Sequence, residues 1–241
     1  MKIEDITCVM LSWKRPDNIK KIINKIKDYG LGGIIVCNNN KDIDLSFLTK
    51  SDVLVISHNK NNPVGLMSRI TSALYASTEF IMTLDDDRIP TKECIEDMVY
   101  SMNSRNGDGQ VGLDPRCLRD GIFCGCLKTK NGLVCPHTPP CFGYHEVESI
   151  ITGTSLFSKK YLPFIIDAWE KTGYKKFMDG EDMFISFCIR KLSGLKPILI
   201  EKREKNKDWI KLPDPHAISL NAGRNLSNLY SKIWRLVNDN L

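Results

Sequence analysis

The chain has 241 residues, 42% of them hydrophobic and 26% charged, with a net charge of +5. That is enough for one large α/β domain or two small ones, in an ordinary soluble globular composition. No apolar run approaches the roughly 20 residues of a membrane span. The positive charge is mild and scattered, which suits a small polyanion better than nucleic acid.

Ile6–Ser12 reads as a first buried strand. Pro16 then suits the first turn of a helix. Ile19, Ile22, Ile23 and Ile26 fall on one face of it, with lysines on the other. Tyr29-Gly30 and Gly32-Gly33 end that helix. Ile34–Cys37 is a second strand ending in Asn38-Asn39-Asn40, and Val53–Ile56 a third, followed by a polar loop, Ser57–Asn62. Leu66, Ile70, Ala73 and Leu74 mark a second helix, ending near Ser77.

Phe80–Leu84 is the most informative strand. It runs straight into Asp85, Asp86 and Asp87, and Arg88-Ile89-Pro90 ends the element. Thr91 then caps a helix with Ile95, Met98, Val99 and Met102 inward. The first hundred residues therefore read as a parallel, doubly wound α/β half.

The second half changes character. Val111–Glu148 holds short apolar pieces broken by Gly, Pro and Cys, which predicts a smaller mixed sheet. Ile150–Phe157 reads as a strand. Tyr161, Leu162, Ile165, Ile166 and Trp169 form a helical face. Glu181–Leu192 is a further helix, with Met183, Phe184, Phe187 and Cys188 buried, and Lys196–Ile200 a short strand. Glu201–Pro215 is charged and proline-punctuated and predicts a mobile loop. Leu226, Leu229, Tyr230, Ile233 and Val237 mark a last helix. Without repeats or linkers the chain reads as a single domain over 1–241. Residues 1–103 form a ligand-binding half and 104–241 an acceptor half.

Three carboxylates at a strand tip are costly without a positive partner. In open α/β sheets ligands bind beyond the carboxyl ends of the strands. Clustered carboxylates are hard ligands, suited to Mn²⁺ or Mg²⁺ held jointly with substrate phosphates. Asp85 and Asp87 are the candidate metal ligands, with His216 as a further one beyond the mobile loop. Four polar loops should open on the same edge: Ser12–Arg15, Asn38–Asn40, Ser57–Asn62 and Asp85–Asp87. Trp13 or Arg15 could stack on or hydrogen-bond a base. Asn38 and Asn62 offer paired donors and acceptors to a base edge or ribose. Arg69 could reach a phosphate or the aspartates, and Arg224 a diphosphate. Asp179, Glu181 and Asp182 sit at a helix N-terminus, where acids complement the dipole. A carboxylate there could also take a proton or stabilise an oxocarbenium-like transition state. No glycine-rich phosphate loop is present, so a metal would do the neutralising.

The nine cysteines are Cys8, Cys37, Cys94, Cys117, Cys124, Cys126, Cys135, Cys141 and Cys188. An odd, scattered set suits packed, reduced thiols. The Cys117–Cys141 cluster, with His137 and His145 nearby, leaves zinc and disulfides open, although its spacing matches no paired C-x-x-C pattern.

With these residues on the page, the chain resembles the GT-A glycosyltransferases, and among them the exostosin-like branch, glycosyltransferase family 64-like. ITCVMLSWKRPDNIKKII is similar to that branch's first strand and helix, and IIVCNNN to its second strand. NKNNPVGLMSRI resembles its Asn-rich loop, and FIMTLDDDRI its metal motif, the most specific piece. VGLDPR, TGTSLFSKKYL, MDGEDMFISF and SLNAGRNLSNLYSKIWRL extend the likeness towards the C-terminus. The resemblance implies a GT-A fold and a manganese-dependent transfer of sugar from a UDP-sugar donor to a glycan or other hydroxyl acceptor. It implies Asn38, Asn62, Arg69, Asp85, Asp86 and Asp87 for donor and metal, Asp182 for chemistry with Glu181 beside it, and Arg224 for the diphosphate. Members of that branch retain anomeric configuration. The cysteine-rich middle departs from the family pattern, so acceptor specificity does not transfer. Two other readings are a sugar-1-phosphate nucleotidyltransferase, which would want a Gly-rich loop where Trp13–Pro16 stands, and a non-catalytic nucleotide- or carbohydrate-binding module. The N-terminus, MKIEDITCVML, has no signal-peptide layout. The expectation is a cytoplasmic protein of a bacterial or viral glycan pathway.

Overall fold

The computed structural model describes residues 1–48, 52–113, 115–119, 122–125, 127–129, 132–134, 145–150, 153–173, 180–200, 209–213 and 226–241. β1 (Ile6–Ser12) leads into α1 (Pro16–Ile26), β2 (Gly33–Asn38), β3 (Leu54–Ser57) and α2 (Ser68–Ala73). β4 (Phe80–Leu84), a short β5 (Arg88–Pro90) and α3 (Lys92–Asn103) follow. Then come β6 (Gln110–Gly112), β7 (Pro115–Arg119), β8 (Ile122–Gly125), β9 (Leu127–Thr129), β10 (Gly132–Val134), β11 (His145–Glu146), β12 (Ser149–Ile150) and β13 (Thr154–Ser158). The chain ends through α4 (Leu162–Lys171), α5 (Glu181–Ser193), β14 (Ile198–Leu199), β15 (Trp209–Lys211) and α6 (Leu226–Asn240).

Eight strands make the central sheet, in the order β11-β14-β6-β13-β4-β1-β2-β3. β3, β2, β1 and β4 are mutually parallel. β13 lies antiparallel between β4 and β6, and β14 runs parallel to β6. A smaller antiparallel sheet, β12-β7-β8, stands in the second half. The result is the mostly parallel α/β architecture that the sequence predicts.

Every residue of β1 and β4 is buried, because helices cover both faces of the sheet. The two-residue period of a strand sends alternate side chains to opposite layers. Ile6, Cys8 and Met10 join the isoleucines of α1 and the Ile95, Met98 and Met102 stripe of α3. Val9, Ile35 and Ile81 face α2, α4, α5 and α6 instead. Thr91 caps α3 as expected, its hydroxyl accepting from Cys94 N at 3.1 Å. α5 is the innermost helix: Met183 to Ile189 are all buried.

Four expectations change. α2 stops at Ala73, so Leu74 becomes its cap and turns out to solvent at 45% exposure. Val99 and Ile166 are only partly buried against the core. The strand expected over Ile150–Phe157 is two strands, β12 and β13, with different partners. Within the segment predicted as a mobile loop, Trp209–Lys211 is a strand paired antiparallel with β5, and Leu212 N donates to Asp87 O at 2.7 Å. The pairing supplies partners for backbone groups that a three-residue strand could not satisfy alone.

Gly112 sits where β6 is held between β13 and β14. A Cβ there would stand 2.7 Å from Thr154 O and 2.4 Å from Ile150 Cγ2. With partners on both edges the strand has nowhere to move. Gly112→Ala is expected to destabilise the protein by about 1–3 kcal/mol, the usual cost of overpacking a core, read from the midpoint of urea denaturation.

Candidate functional site

The parallel set β3-β2-β1-β4 brings the polar loops Ser12–Arg15, Asn38–Asn40, Ser57–Asn62 and Asp85–Asp87 to one edge of the sheet. This is the carboxyl edge where such sheets bind ligands.

At that edge each aspartate has its own arginine. Arg69, from the first turn of α2, donates through Nη2 to Asp85 Oδ1 at 2.8 Å. Arg15, the residue just before α1, pairs through Nη1 with Asp86 Oδ1. Arg88 Nε lies 3.4 Å from Asp87 Oδ1. The partner that three adjacent carboxylates require is thus supplied first by the protein itself. Arg69 is no surface cation: its side chain is 7% exposed. Burial works against its charge, but Asp85, Glu181 and Asp86 outweigh this and hold its pKa above the usual value. Asp86 is pushed up to about 6, mainly by burial, with Arg15 opposing and Asp85 and Asp87 adding repulsion. Arg88 carried no role in the sequence reading. Its pairing with Asp87 and its place opposite Lys211 appear only in three dimensions.

The asparagines knit the loops together. Asn38 Nδ2 donates to Ile43 O at 2.9 Å, and its Oδ1 accepts from Asn40 N at 3.2 Å. Asn40 Nδ2 reaches Trp13 O at 2.8 Å, tying Trp13, which is half-buried, to the end of β2. The hub is Asn39, which sequence reasoning named only as part of a polar run. Its Nδ2 donates to Asn62 Oδ1 at 2.6 Å and Gly65 O at 3.2 Å, and its Oδ1 accepts from Ser68 Oγ at 2.8 Å. Asn62 takes a left-handed backbone (φ 48°), which Asn tolerates better than most residues. Asn39 therefore fixes the approach to α2 and, through it, the position of Arg69. Ser12 at the tip of β1 is fully buried, and its Oγ has no hydrogen-bond partner among the described residues. Such orphans are rare in folded proteins.

From the other half of the chain, α5 delivers two carboxylates. Gly180 enters the helix in a left-handed conformation (φ 77°) that suits glycine. Glu181 is buried, and its acid range is pushed up to about 8 by burial, then by repulsion from Asp182 and Asp85, with Arg69 opposing. Asp182 is only partly buried, and its Oδ1 accepts from Met183 N at 2.8 Å. Asp179, His216 and Arg224 lie outside the described residues, as do the side chains of the Cys117–Cys141 cluster. The remaining cysteines, Cys8, Cys37, Cys94 and Cys188, are buried. Cys37 Sγ sits 3.6 Å from His58 Nε2, with burial raising its thiol pKa.

Residues 7–116 match the family model Glycosyl transferase family 2. The fold is of the GT-A type. Solved structures of S. aureus TarS share it. TarS 1-349 aligns at TM-score 0.56 and 10% identity, over 86% of this chain and 60% of that one. TarS 1-349 in complex with UDP-GlcNAc aligns at 0.59 and 11%, over 98% and 66%. The complex with UDP aligns at 0.59 and 11%, over 98% and 64%. The chain spans under two thirds of the length of these TarS structures. No curated protein matches the sequence. The family matched is glycosyl transferase family 2, where the motifs alone resembled the exostosin-like branch.

The segment that matches this model contains Arg15, Arg69 and all three aspartates. Among the described residues no three His, Cys, Asp or Glu side chains converge on one point. A closed protein cage for a metal is therefore not formed by them. Asp85 and Asp87 each commit one oxygen to an arginine, and among the described residues their Oδ2 atoms make no hydrogen bond. Two hard oxygens left over, on carboxylates two residues apart, fit an ion that takes its other ligands from phosphate and water.

The buried state of Glu181 has a pH consequence. Its folded pKa is raised, so between pH 4.5 and about 8 the folded protein holds a proton that the unfolded chain has released. Stability falls as pH rises through that window. Asp86 has the same sign but completes its change near pH 6. The melting temperature should therefore keep declining from pH 6 to 8 in the wild type, and Glu181→Gln should remove that part of the slope. An unchanged slope in Glu181→Gln would show that Glu181 is ionised in the fold throughout.

Proposed function

We propose that the protein is a metal-dependent glycosyltransferase. It moves a sugar from a nucleotide-diphosphate sugar to a glycan or other hydroxyl acceptor. The observation that carries this reading is the meeting at one sheet edge of Asp85, Asp86 and Asp87, each paired with an arginine, with Glu181 of α5 within the field of Arg69 and Asp85. Asp85 and Asp87 each face an arginine through Oδ1, and their second oxygens are the hard ligands we assign to one more cation, Mn²⁺ or Mg²⁺. That ion, when bound, supplies positive charge to the departing diphosphate. Electrostatic stabilisation of this kind is commonly the largest catalytic contribution.

The chain's own groups do the rest. Arg69 fixes Asp85 through Oδ1 and leaves Oδ2 to the ion. Trp13 and the Asn38–Asn62 network border the place of the base and ribose, and Asp86 with Arg15 borders the sugar-phosphate. Asp182, more open than Glu181, acts at the anomeric carbon or on the acceptor hydroxyl. Glu181, largely protonated at neutral pH, lowers the repulsion around Asp85. His216 and Arg224 complete the reading as metal and diphosphate ligands. The TarS complexes with UDP-GlcNAc and UDP favour a uridine donor, with a hexosyl or N-acetylhexosaminyl group transferred. The LDDD and GED motifs keep the exostosin-like branch within this reading.

Among the described residues no helix is long and apolar enough to cross a membrane. The buried thiols of Cys8, Cys37 and Cys188 suit a reducing compartment, and we assign the protein to the cytoplasm.

The test is a thermal-shift panel of UDP-, GDP-, dTDP- and CMP-sugars, each with Mn²⁺, Mg²⁺ or EDTA. A donor at a hundred times its Kd stabilises the fold by about 2.7 kcal/mol. UDP-sugars should raise the melting temperature with Mn²⁺ and lose the effect with EDTA. In donor-consumption assays Asp182→Asn should lower kcat by about 10²- to 10⁴-fold, the usual share of general acid–base catalysis, with donor affinity nearly unchanged. Full turnover by Asp87→Ala in EDTA would refute the metal site.

A further inference from the structure

The positive charge of the chain is mild overall, but α1 and its flanks hold a concentrated share of it. Residues 14–28 carry Lys14, Lys20, Lys21, Lys25 and Lys27 against Asp17 and Asp28, beside an Arg15 already paired with Asp86. Folding turns Ile19, Ile22, Ile23 and Ile26 into the core and leaves all five lysines exposed. Among the described residues none of the five forms an ion pair. Lys21 and Lys25 stand one turn apart, where like charges repel and destabilise a helix. Asp17 lies in the first turn, where it complements the helix dipole, and Asp28 lies beyond the end of α1.

Beside this face stands Phe47. It belongs to a short turn, Ser46–Leu48. Leu45 and Leu48 are buried in the layer that holds the α1 isoleucines. Phe47 instead is 39% exposed, with the Lys20 ammonium 5.8 Å from its ring centroid. A lysine face alone is ordinary solvated surface, and so is one exposed phenylalanine. An aromatic ring set against a lysine face is a different surface. It combines the apolar anchor and the positive charge that bind the headgroup layer of an anionic membrane.

We propose that the outer face of α1, together with Phe47, docks on an anionic lipid bilayer. About four to eight basic residues make up a usual surface of this kind, and this one supplies five. Lysine stems can lie along apolar surface while their ammonium groups stay among the headgroups. The Phe47 ring enters beneath them. α1 starts where Arg15 pairs with Asp86, so docking brings the aspartate edge near the bilayer.

The test is co-sedimentation with vesicles of phosphatidylcholine alone or mixed with phosphatidylglycerol. Wild type should bind the mixed vesicles, ignore the neutral ones, and be released by high salt, which screens exposed charge. Each lysine near such a surface contributes about fivefold, so Lys20→Gln, Lys21→Gln and Lys25→Gln in one chain should weaken binding about 100-fold. Glutamine matches lysine as a helix former, so that variant should keep the wild-type melting temperature. Phe47→Ala should weaken binding about tenfold and leave the salt dependence in place. Lys171, Lys191 and Lys232 are exposed on α4, α5 and α6, which cover the opposite face of the sheet. Changing those three to Gln removes the same charge and should leave binding nearly unchanged. No binding of wild type to the mixed vesicles, equal binding to neutral ones, or equal loss in the two triple variants overturns the proposal. So does binding of soluble polyphosphate without binding of vesicles, which would make the face a site for a soluble polyanion. The readout needs neither donor nor metal, so its outcome is separate from that of the glycosyltransferase reading.

Discussion

A guanidinium buried beneath three carboxylates sets the terms for this structure. Charged groups taken from water cost several kcal/mol each unless they are paired and hydrogen-bonded. Arg69 meets that demand through Asp85, with Asp86 and Glu181 near enough to contribute to its field. The demand runs both ways, because the aspartates could not crowd a strand tip without Arg69, Arg15 and Arg88. These charges come from the ends of β1 and β4 and from the starts of α2 and α5. Their mutual need holds the two halves of the chain at one edge more specifically than apolar packing alone can. The apolar layers on either face of the sheet supply bulk stability, and the ionic cluster supplies register.

The same cluster shows why the edge is both charged and quiet. Glu181 beside Asp182 and Asp85 would be strongly repulsive if all were ionised, and burial shifts Glu181 towards its neutral form. Arg15 moderates Asp86, which would otherwise carry the full penalty of burial. The asparagine network performs the neutral counterpart of this work. Asn39 spends its amide on three loop partners, so the ends of β1 and β2 and the start of α2 move as one unit.

Much of this was legible in the sequence wherever the signal was local. The isoleucine stripe of α1, the Thr91 cap and the apolar run into Asp85 are patterns within a dozen residues, and each took the form expected. The parallel order followed from alternating elements, and it placed four polar loops on one edge correctly. Long-range facts were not legible. Arg88 read as the end of an element, because the strand that pairs with it lies far along the chain inside a segment whose charges and prolines indicate a loop. Asn39 looked like its neighbours, since three asparagines in a row carry no mark of which one turns inward. Arg69 was named as able to reach the aspartates, and it does, but the pairings of Asp86 with Arg15 and of Asp87 with Arg88 escaped, because partners chosen by folding have no fixed spacing. Leu74 was misplaced because helix periodicity does not announce where α2 stops.

The position of β13 has a consequence for how the molecule forms. It lies between β4 and β6, yet it is made after both, with the smaller sheet intervening in the sequence. Until residues 154–158 emerge, β4 has a bare edge on one side and β6 has no route into the sheet. Non-local pairings of this kind are slow to close, since the entropy of a long loop must be lost first. A growing chain can assemble β1 to β4 early and hold the aspartate tip half-built. The acidic helix α5 then arrives only after β13 has zipped the two halves together. The order of synthesis therefore makes the charged edge one of the last parts of the molecule to be completed.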